Sequence, residues 1–325
     1  MSGKNKILSA AFLFGLGKGK DKDVRKVFNE HEKGDITWER MACLKGMLEQ
    51  TEIGRDTLKF LKKNRTKVQF AEIDGYGSYN YKKNKISLNP AFSDKTLALT
   101  FIHEARHAFQ FKEQRVDPEN LTPDTYLKFG YMSEADACAA QCVFAHQMKE
   151  QGDHSFVSEY RKTGYAPVGE AFEKEFEKSN DTDKARNAAF TRWYDLRVKQ
   201  KYTEQYLDSI ACTARYARRY QLTHDKSAKE MAMAFCTNAE GKCYVGDPKA
   251  LEAPEKLHLN EYQAQKLTKS LEPFMKRFCL PPAHLGLDKI YVKRENGAYT
   301  PVHNERKTAK INPALQSFLK NNRGR

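Results

Sequence analysis

The sequence predicts an α+β protein that is mainly helical, with a small β-sheet beside its central helices. Three observations support this fold class. Apolar residues recur at helical spacing over most of the chain. Two short alternating segments within residues 68–88 flank a polar turn, a pattern typical of a hairpin. With 325 residues, 40% of them hydrophobic, the chain is long enough to build one or two globular domains.

The segment before the central helices predicts the sheet. Residues 68–73 form one predicted strand, and residues 75–81 alternate aromatic with small or polar side chains. Residues 82–85 predict a turn, and residues 86–88 a return strand. An edge strand of such a sheet can bind an extended peptide through main-chain hydrogen bonds. The pattern does not identify the edge strand, and it fits equally well a plain hairpin whose polar face meets water.

The most informative motif is H-E-x-x-H, which includes His103, Glu104 and His107. Ser93 is a predicted N-cap and Asp94 favours the positive end of a helix dipole, so a helix of about 18 residues is expected here. Positions i and i+4 share one helix face, so the two imidazoles can bind one Zn²⁺ ion. Glu104 stands where a carboxylate can act as general base on a metal-bound water without being a ligand. The alternative is two histidines on a half-buried helix.

A third ligand is predicted on a second helix. A catalytic zinc ion usually has three protein ligands and an open position. Ser133 is the predicted start of this helix and Glu134 lies near it, among small alanines that would let the two helices approach closely. We therefore predict Glu134 as the third ligand. Asp136 would either accept the second N–H of a zinc-bound histidine or only favour the helix N-terminus.

These elements resemble the gluzincin arrangement of metallopeptidases, in which two histidines and a glutamate on a following helix bind zinc. The chain also resembles a poorly characterised bacterial group assigned to the zinc metallopeptidases and known as a domain of unknown function. The resemblance covers roughly residues 38–215, and the phrases that carry it are residues 47–54, 86–90, 102–110, 133–137 and 189–194. It implies a zincin-like minimal core, Zn²⁺ as cofactor, and a zinc-dependent peptidase acting on a peptide or protein substrate. Arg106 departs from the many zincins with uncharged middle positions, which suggests that it meets solvent or an acidic partner.

The chain is expected to divide into three parts: a basic N-terminal segment (1–34), a zincin-like metallopeptidase domain (35–215), and a helical C-terminal extension with a terminal hairpin (216–325). Residues 185–206 have helical spacing and carry Tyr202 and Tyr206. Each tyrosine could hydrogen-bond the oxyanion formed when water attacks a carbonyl, or serve only in packing. A helix break or kink is expected near Pro273. Asn296 and Gly297 predict the turn of the hairpin.

The net charge of +14 raises the question of an anionic partner. Basic clusters lie at residues 59–67, at residues 215–219 and in the C-terminal tail. Such charge can favour nucleic acid or anionic membranes, but no nucleic-acid motif accompanies it. We therefore expect solvated surface, no specific nucleic-acid partner and weak binding to anionic surfaces. The alternatives to a peptidase are a non-enzymatic basic helical binding protein with a structural zinc, or a protein that binds nucleic acid or anionic membrane.

The cysteines and the N-terminal segment indicate the cellular compartment of the protein. The seven cysteines are scattered and odd in number, which favours a reducing compartment and a cytoplasmic protein. Cys236 and Cys243 flank a polar loop and could close a disulfide if the protein were exported. The apolar run at residues 7–17 follows Lys4 and Lys6 and has the character of a weak signal peptide without an A-x-A cleavage pattern. Secretion through this segment is the alternative.

Overall fold

The computed structural model describes residues 35–115, 117–217 and 221–303. The helices within these ranges are α1 (Asp35–Glu49), α2 (Glu52–Lys63), α3 (Asp94–Gln114), α4 (Pro123–Glu150), α5 (Ser155–Arg161), α6 (Ala166–Ser179), α7 (Thr182–Trp193), α8 (Val198–Tyr216), α9 (Ala228–Phe235) and α10 (Glu261–Phe278). The strands are β1 (Lys67–Phe70), β2 (Gly77–Asn80), β3 (Lys85–Leu88), β4 (His258–Leu259), β5 (Tyr291–Lys293) and β6 (Tyr299–Pro301). The predicted class, α+β and mainly helical, is confirmed.

Several expectations concern other parts of the chain. The apolar run at residues 7–17, Arg218, Arg219 and the basic tail lie outside the described residues. Within the described ranges, none of the helices combines the length and apolarity that crossing a membrane requires. The basic cluster at residues 59–67 is described, and its lysine and arginine side chains are exposed.

The first sheet has the order β1-β3-β2 and confirms the predicted hairpin. Strand β1 pairs with β3 in parallel, and β2 pairs with β3 antiparallel with Tyr79 opposite Ile86. Strand β2 therefore lies at one edge of the sheet, against α3. A Cβ atom at Gly77 would lie 2.5 Å from the Thr100 side chain and 3.0 Å from that of Glu104. A glycine is required here because the strand passes directly over the helix that carries the motif.

Helix α3 begins as the sequence predicts. The Ser93 side chain accepts a hydrogen bond from the Thr96 N–H, which satisfies one of the unpaired amides of the first turn. The helix runs for 21 residues and ends at Arg115, which has a left-handed backbone with φ of 56°. Leu97 and Phe101 on this helix are fully buried. Burial on this scale holds the motif rigidly inside the protein.

Helix α4 corrects one prediction. The helix starts at Pro123 after the N-cap Thr122, not at Ser133, so Glu134 and Asp136 lie in its middle. Proline suits the first turn of a helix because it has no N–H to satisfy there. All but a few residues of α4 are buried, so its polar residues do not mark an exposed face. The proposal that Asp136 favours a helix N-terminus is therefore wrong.

The helical run predicted over residues 185–206 is two helices. α7 ends at Trp193 and α8 begins at Val198, with a turn between them. In this turn the N–H groups of Asp195 and Leu196 donate to carbonyls three residues earlier. The α-helical pattern, in which each N–H donates to the carbonyl four residues earlier, is therefore interrupted. The turn lets α8 pack against α4 with Tyr202 and Tyr206 buried.

The C-terminal part contains the predicted hairpin. β5 pairs with β6 antiparallel, and Gly297 has the positive φ, 81°, that the turn requires. β4 adds to β5 in parallel, which the sequence did not predict. Of the break or kink expected near Pro273, the break is absent, since α10 runs without interruption from Glu261 to Phe278. Pro273 and Lys269 are exposed, so water can satisfy the carbonyl that loses its helical partner.

Candidate metal centre

Three side chains with metal-ligating atoms converge between α3 and α4. The ligand atoms of His103, His107 and Glu134 all lie within 4.8 Å of one another. His103 Nε2 is 3.6 Å from Glu134 Oε2, and His107 Nε2 is 3.4 Å from Glu134 Oε1. The exposed fractions of the three residues are 6%, 2% and 0%. The structure thus brings together the three residues that the sequence predicted as ligands.

Two glutamines orient the imidazoles. His103 Nδ1 lies 3.1 Å from Gln141 Oε1, and His107 Nδ1 lies 2.8 Å from Gln110 Oε1. Each glutamine donates from Nε2 to a main-chain carbonyl, at 3.1 Å for Gln141 and 2.9 Å for Gln110. The amide nitrogens are thus committed elsewhere, so the oxygens accept from the imidazoles. Both histidines then carry hydrogen on Nδ1 and direct Nε2 toward Glu134.

The two glutamines were not predicted as site residues. Gln110 is three residues after His107 on the same helix, a spacing at which helical side chains meet. Gln141 follows Glu134 by seven residues, so both lie on one face of α4 after two turns. Helical spacing could therefore have predicted both glutamines as site residues, but only if the packing of α3 against α4 had been known.

Asp136 reaches the histidines through Gln110. Gln110 Nε2 donates to Asp136 Oδ2 at 2.7 Å, while its Oε1 accepts from His107. The sequence proposed Asp136 as a direct partner of a ligand histidine. In the structure Gln110 fills that position next to His107, and Asp136 fixes the glutamine.

Asp136 is the acidic partner expected for Arg106. Arg106 Nε donates to Asp136 Oδ2 at 2.6 Å, Arg186 Nη2 to Oδ1 at 3.1 Å, and the Tyr244 hydroxyl to Oδ1 at 2.6 Å. Burial would raise the pKa of Asp136, but the two guanidinium groups outweigh it and lower the pKa. A fully buried carboxylate is stable here because it is ion-paired and hydrogen-bonded on both oxygens.

Glu104 lies beside the cluster of potential ligands and is not part of it. It is 1% exposed, and the main-chain N–H of Tyr79 in strand β2 donates to its carboxylate. Burial raises the pKa of Glu104 to about 8, although the charge of His103 and the Tyr79 hydrogen bond act in the opposite direction. A carboxyl group with such a pKa can both accept and donate a proton near neutral pH.

The pKa values of the two histidines shift in opposite directions. Burial would lower the pKa of His103, but Cys138 and Glu134 outweigh it and raise this pKa well above its ordinary value. Burial, together with the neighbouring charge of His103, lowers the pKa of His107 well below its ordinary value. A neutral imidazole is the form that coordinates a metal ion. Cys138, one turn after Glu134, hydrogen-bonds His103, and burial raises the pKa of its thiol. Cys138 is therefore a neutral neighbour of the cluster.

The two tyrosines of α8 differ in their relation to the site. A small cleft with a volume of about 50 Å³ has His103, Glu104 and Tyr202 in its wall. The Tyr202 hydroxyl lies 2.7 Å from that of Tyr165, a residue that the sequence analysis missed and that also lines the cleft. Among the described residues, Tyr206 does not line this cleft. Its ring stacks on that of Tyr202, with the ring centroids 6.1 Å apart.

The side chains present fit a zinc ion. Two imidazole nitrogens and one carboxylate form the ligand set of hydrolytic zinc sites, and the histidines are oriented by second hydrogen bonds as such ligands are. Other titratable groups have other roles: His146 Nδ1 pairs with Glu173 at 2.9 Å, and Cys236 and Cys243 are free thiols.

Comparison with known proteins gives a family for this chain. Residues 24–245 match the family model described as "Putative metallopeptidase family (DUF6782)", and the chain belongs to this family. No curated protein and no solved structure gives a significant match. The matched region contains the cluster and extends to Tyr244, whose hydroxyl donates to Asp136.

Proposed function

We propose that this protein is a zinc-dependent peptidase with a gluzincin-type site in a zincin-like core. His103, His107 and Glu134 would hold the ion, and Glu104 would be the general base. The observation that carries the proposal is the convergence of three buried ligand groups with a separate buried carboxylate, Glu104, beside them. His103 and Glu104 also line one cleft. A site that only stapled two helices would not need a fourth, non-ligating carboxylate.

The chemistry divides between the ion and the protein. A bound zinc ion supplies Lewis acidity toward water and toward the peptide carbonyl. Glu104 takes the proton from the attacking water and later gives it to the leaving amine. The Tyr79 N–H holds one end of the Glu104 carboxylate, which keeps it facing the cleft.

Strand β2 provides a place for the substrate backbone. One edge of β2 pairs with β3, and one face of the strand packs at Gly77 against α3 next to Glu104. An extended peptide that added to this edge would run past the cluster with its carbonyl groups exposed to attack. The Tyr202 hydroxyl, positioned by Tyr165, is then the candidate donor to the oxyanion that forms.

The decisive experiment compares hydrolysis and metal content in the same preparations. The zinc-loaded protein should cleave peptides from a mixed library, and Glu104→Gln should retain zinc while losing cleavage. A protein that binds zinc through a closed set of four ligands, and cleaves no peptide in the library, would favour the non-enzymatic alternative instead.

A further inference from the structure

The cleft extends from His103 and Glu104 along the N-terminal turns of α3. Its wall includes Thr96, Thr100 and His103 on one face of that helix. Seven residues separate Thr96 from His103, which corresponds to about 10 Å along the helix axis. This distance matches the combined reach of a peptide carbonyl bound at the cluster and a long side chain next to it.

Glu159 lies at the far end of this cleft. The Thr96 hydroxyl donates to Glu159 Oε1 at 2.7 Å, and that of Ser93 donates to the same oxygen at 3.3 Å. Lys162 Nζ contacts Oε2 at 2.8 Å. Hydrogen bonds from Lys162 and Thr96 lower the pKa of Glu159, so it is an anion at neutral pH. The cleft thus ends in a fixed negative charge.

Lys162 does not neutralise this charge fully. Its side chain is 71% exposed and sits three residues after Glu159, as in an ordinary surface ion pair. Such pairs contribute little because water and salt screen them. A cation held inside the cleft would meet the same carboxylate with less water around it, and the attraction would be stronger.

The walls between the cluster and Glu159 suit a long aliphatic stem. Leu99, Tyr76 and Tyr165 line the same cleft as Glu159. Tyr76 is fixed by Phe92, with ring centroids 4.4 Å apart, and burial and the charge of Glu159 raise its pKa. Lysine and arginine bury their stems on apolar surface while the charged head finds a polar partner, and the heads also favour aromatic faces.

We propose that the cleft selects peptides with lysine or arginine next to the cleaved bond, and that Glu159 determines this specificity. The proposal rests on the proposed peptidase function, since it assigns a substrate class to the same cleft. The substrate is then a basic peptide or protein segment.

The kinetic experiment uses pairs of fluorogenic peptides that differ only by lysine or glutamine beside the cleaved bond. The wild type should cleave the lysine peptide with the higher kcat/KM. Glu159→Gln should reduce this preference by about tenfold, as expected for losing one charged contact, mainly through the lysine peptide. Glu159→Lys should favour a glutamate peptide. Glu175→Gln is the matched control, because Glu175 also pairs with a lysine three residues on, away from the cleft.

A second variant tests the competition by Lys162. Lys162→Gln should raise the preference for the lysine peptide, because Glu159 is no longer shared. An unchanged lysine-to-glutamine ratio in Glu159→Gln, or a wild type that cleaves only peptides with apolar residues at this position, would overturn the specificity and leave the peptidase function standing.

Peptide binding distinguishes the proposed peptidase function from the proposed specificity of the cleft. The zinc-loaded Glu104→Gln protein should bind the lysine peptide more tightly than the glutamine peptide in calorimetry, and adding Glu159→Gln should remove the difference. If this holds while the wild type cleaves nothing, the peptidase proposal fails and the cleft assignment survives. Equal binding of both peptides would overturn the cleft assignment.

Discussion

His107 Nδ1 lies 2.8 Å from Oε1 of Gln110, and this contact connects the candidate metal site to a buried charge network around Asp136. Gln110 in turn donates to Asp136, which two arginines and Tyr244 surround. The direction in which His107 points is thus set by a chain of hydrogen bonds that crosses from α3 to α4. A ligand held in this way loses little conformational entropy when it binds metal.

Metal content tests the cluster directly. The wild type should bind about one zinc ion per chain, and alanine at His103, His107 or Glu134 should remove most of it, because three ligands are the minimum of such a site. Atomic absorption on dialysed protein gives the measurement. His146→Ala is the matched control, since His146 is a buried histidine paired with Glu173, and it should retain zinc. Full zinc occupancy in Glu134→Ala would remove Glu134 from the site.

Replacing Gln110 tests the orientation of His107. Gln110→Ala should weaken zinc affinity by about 10–100-fold without removing a ligand, because the imidazole loses the partner that fixes its tautomer. Competition with a chelator measures the affinity. Gln151→Ala, an exposed position after α4, serves as control. Equal affinities in wild type and Gln110→Ala would show that α3 alone orients the histidine.

Glu104→Gln should separate binding from chemistry. The amide keeps the size of the carboxylate and can still pair with the Tyr79 main chain, but it cannot carry a proton between water and amine. We expect kcat to fall by about 10²–10⁴-fold with unchanged zinc content and little change in melting temperature. Steady-state hydrolysis of any peptide that the wild type cleaves is the measurement. Cleavage at the wild-type rate would exclude Glu104 as the general base.

Glu173 should make stability depend on pH. Burial would raise its pKa, but hydrogen bonds from His146 and Lys149 outweigh this and lower the pKa to about 2. Because the folded-state pKa is depressed, this contribution to stability is complete above the unfolded value of about 4.3. It is lost as the pH falls from there toward 2.

The variant Glu173→Gln should therefore be less stable than wild type at pH 6, and the difference should shrink as the pH falls to about 2–3. Urea denaturation at several pH values measures both proteins. Glu175→Gln, on the same helix, should show neither effect. A difference in unfolding free energy that stays constant across this range would mean that Glu173 contributes through packing and not through its charge.

The sequence by itself determined the local structure of this protein. The N-cap at Ser93, the shared face of His103 and His107, and the hairpin turn at Gly297 each depend on residues within one or two turns of the chain. Sequence spacing describes such contacts fully, because a helix or hairpin fixes the distances between neighbours. Glu134 could also be predicted, from the need for a third ligand and its place on a second helix, although the start of that helix was placed ten residues too late.

Tertiary structure alone decided which side chains complete the site. Gln141 lies 38 residues from the His103 that it orients, and Tyr244 lies 108 residues from the Asp136 to which it donates. The hydroxyl groups of Tyr165 and Tyr202 hydrogen-bond across 37 residues of sequence, and Thr96 donates to Glu159 across 63. No periodicity connects residues so far apart. Their contacts depend on how the buried helix α4 packs against α3, α5 and α8, and this packing is a property of the whole core.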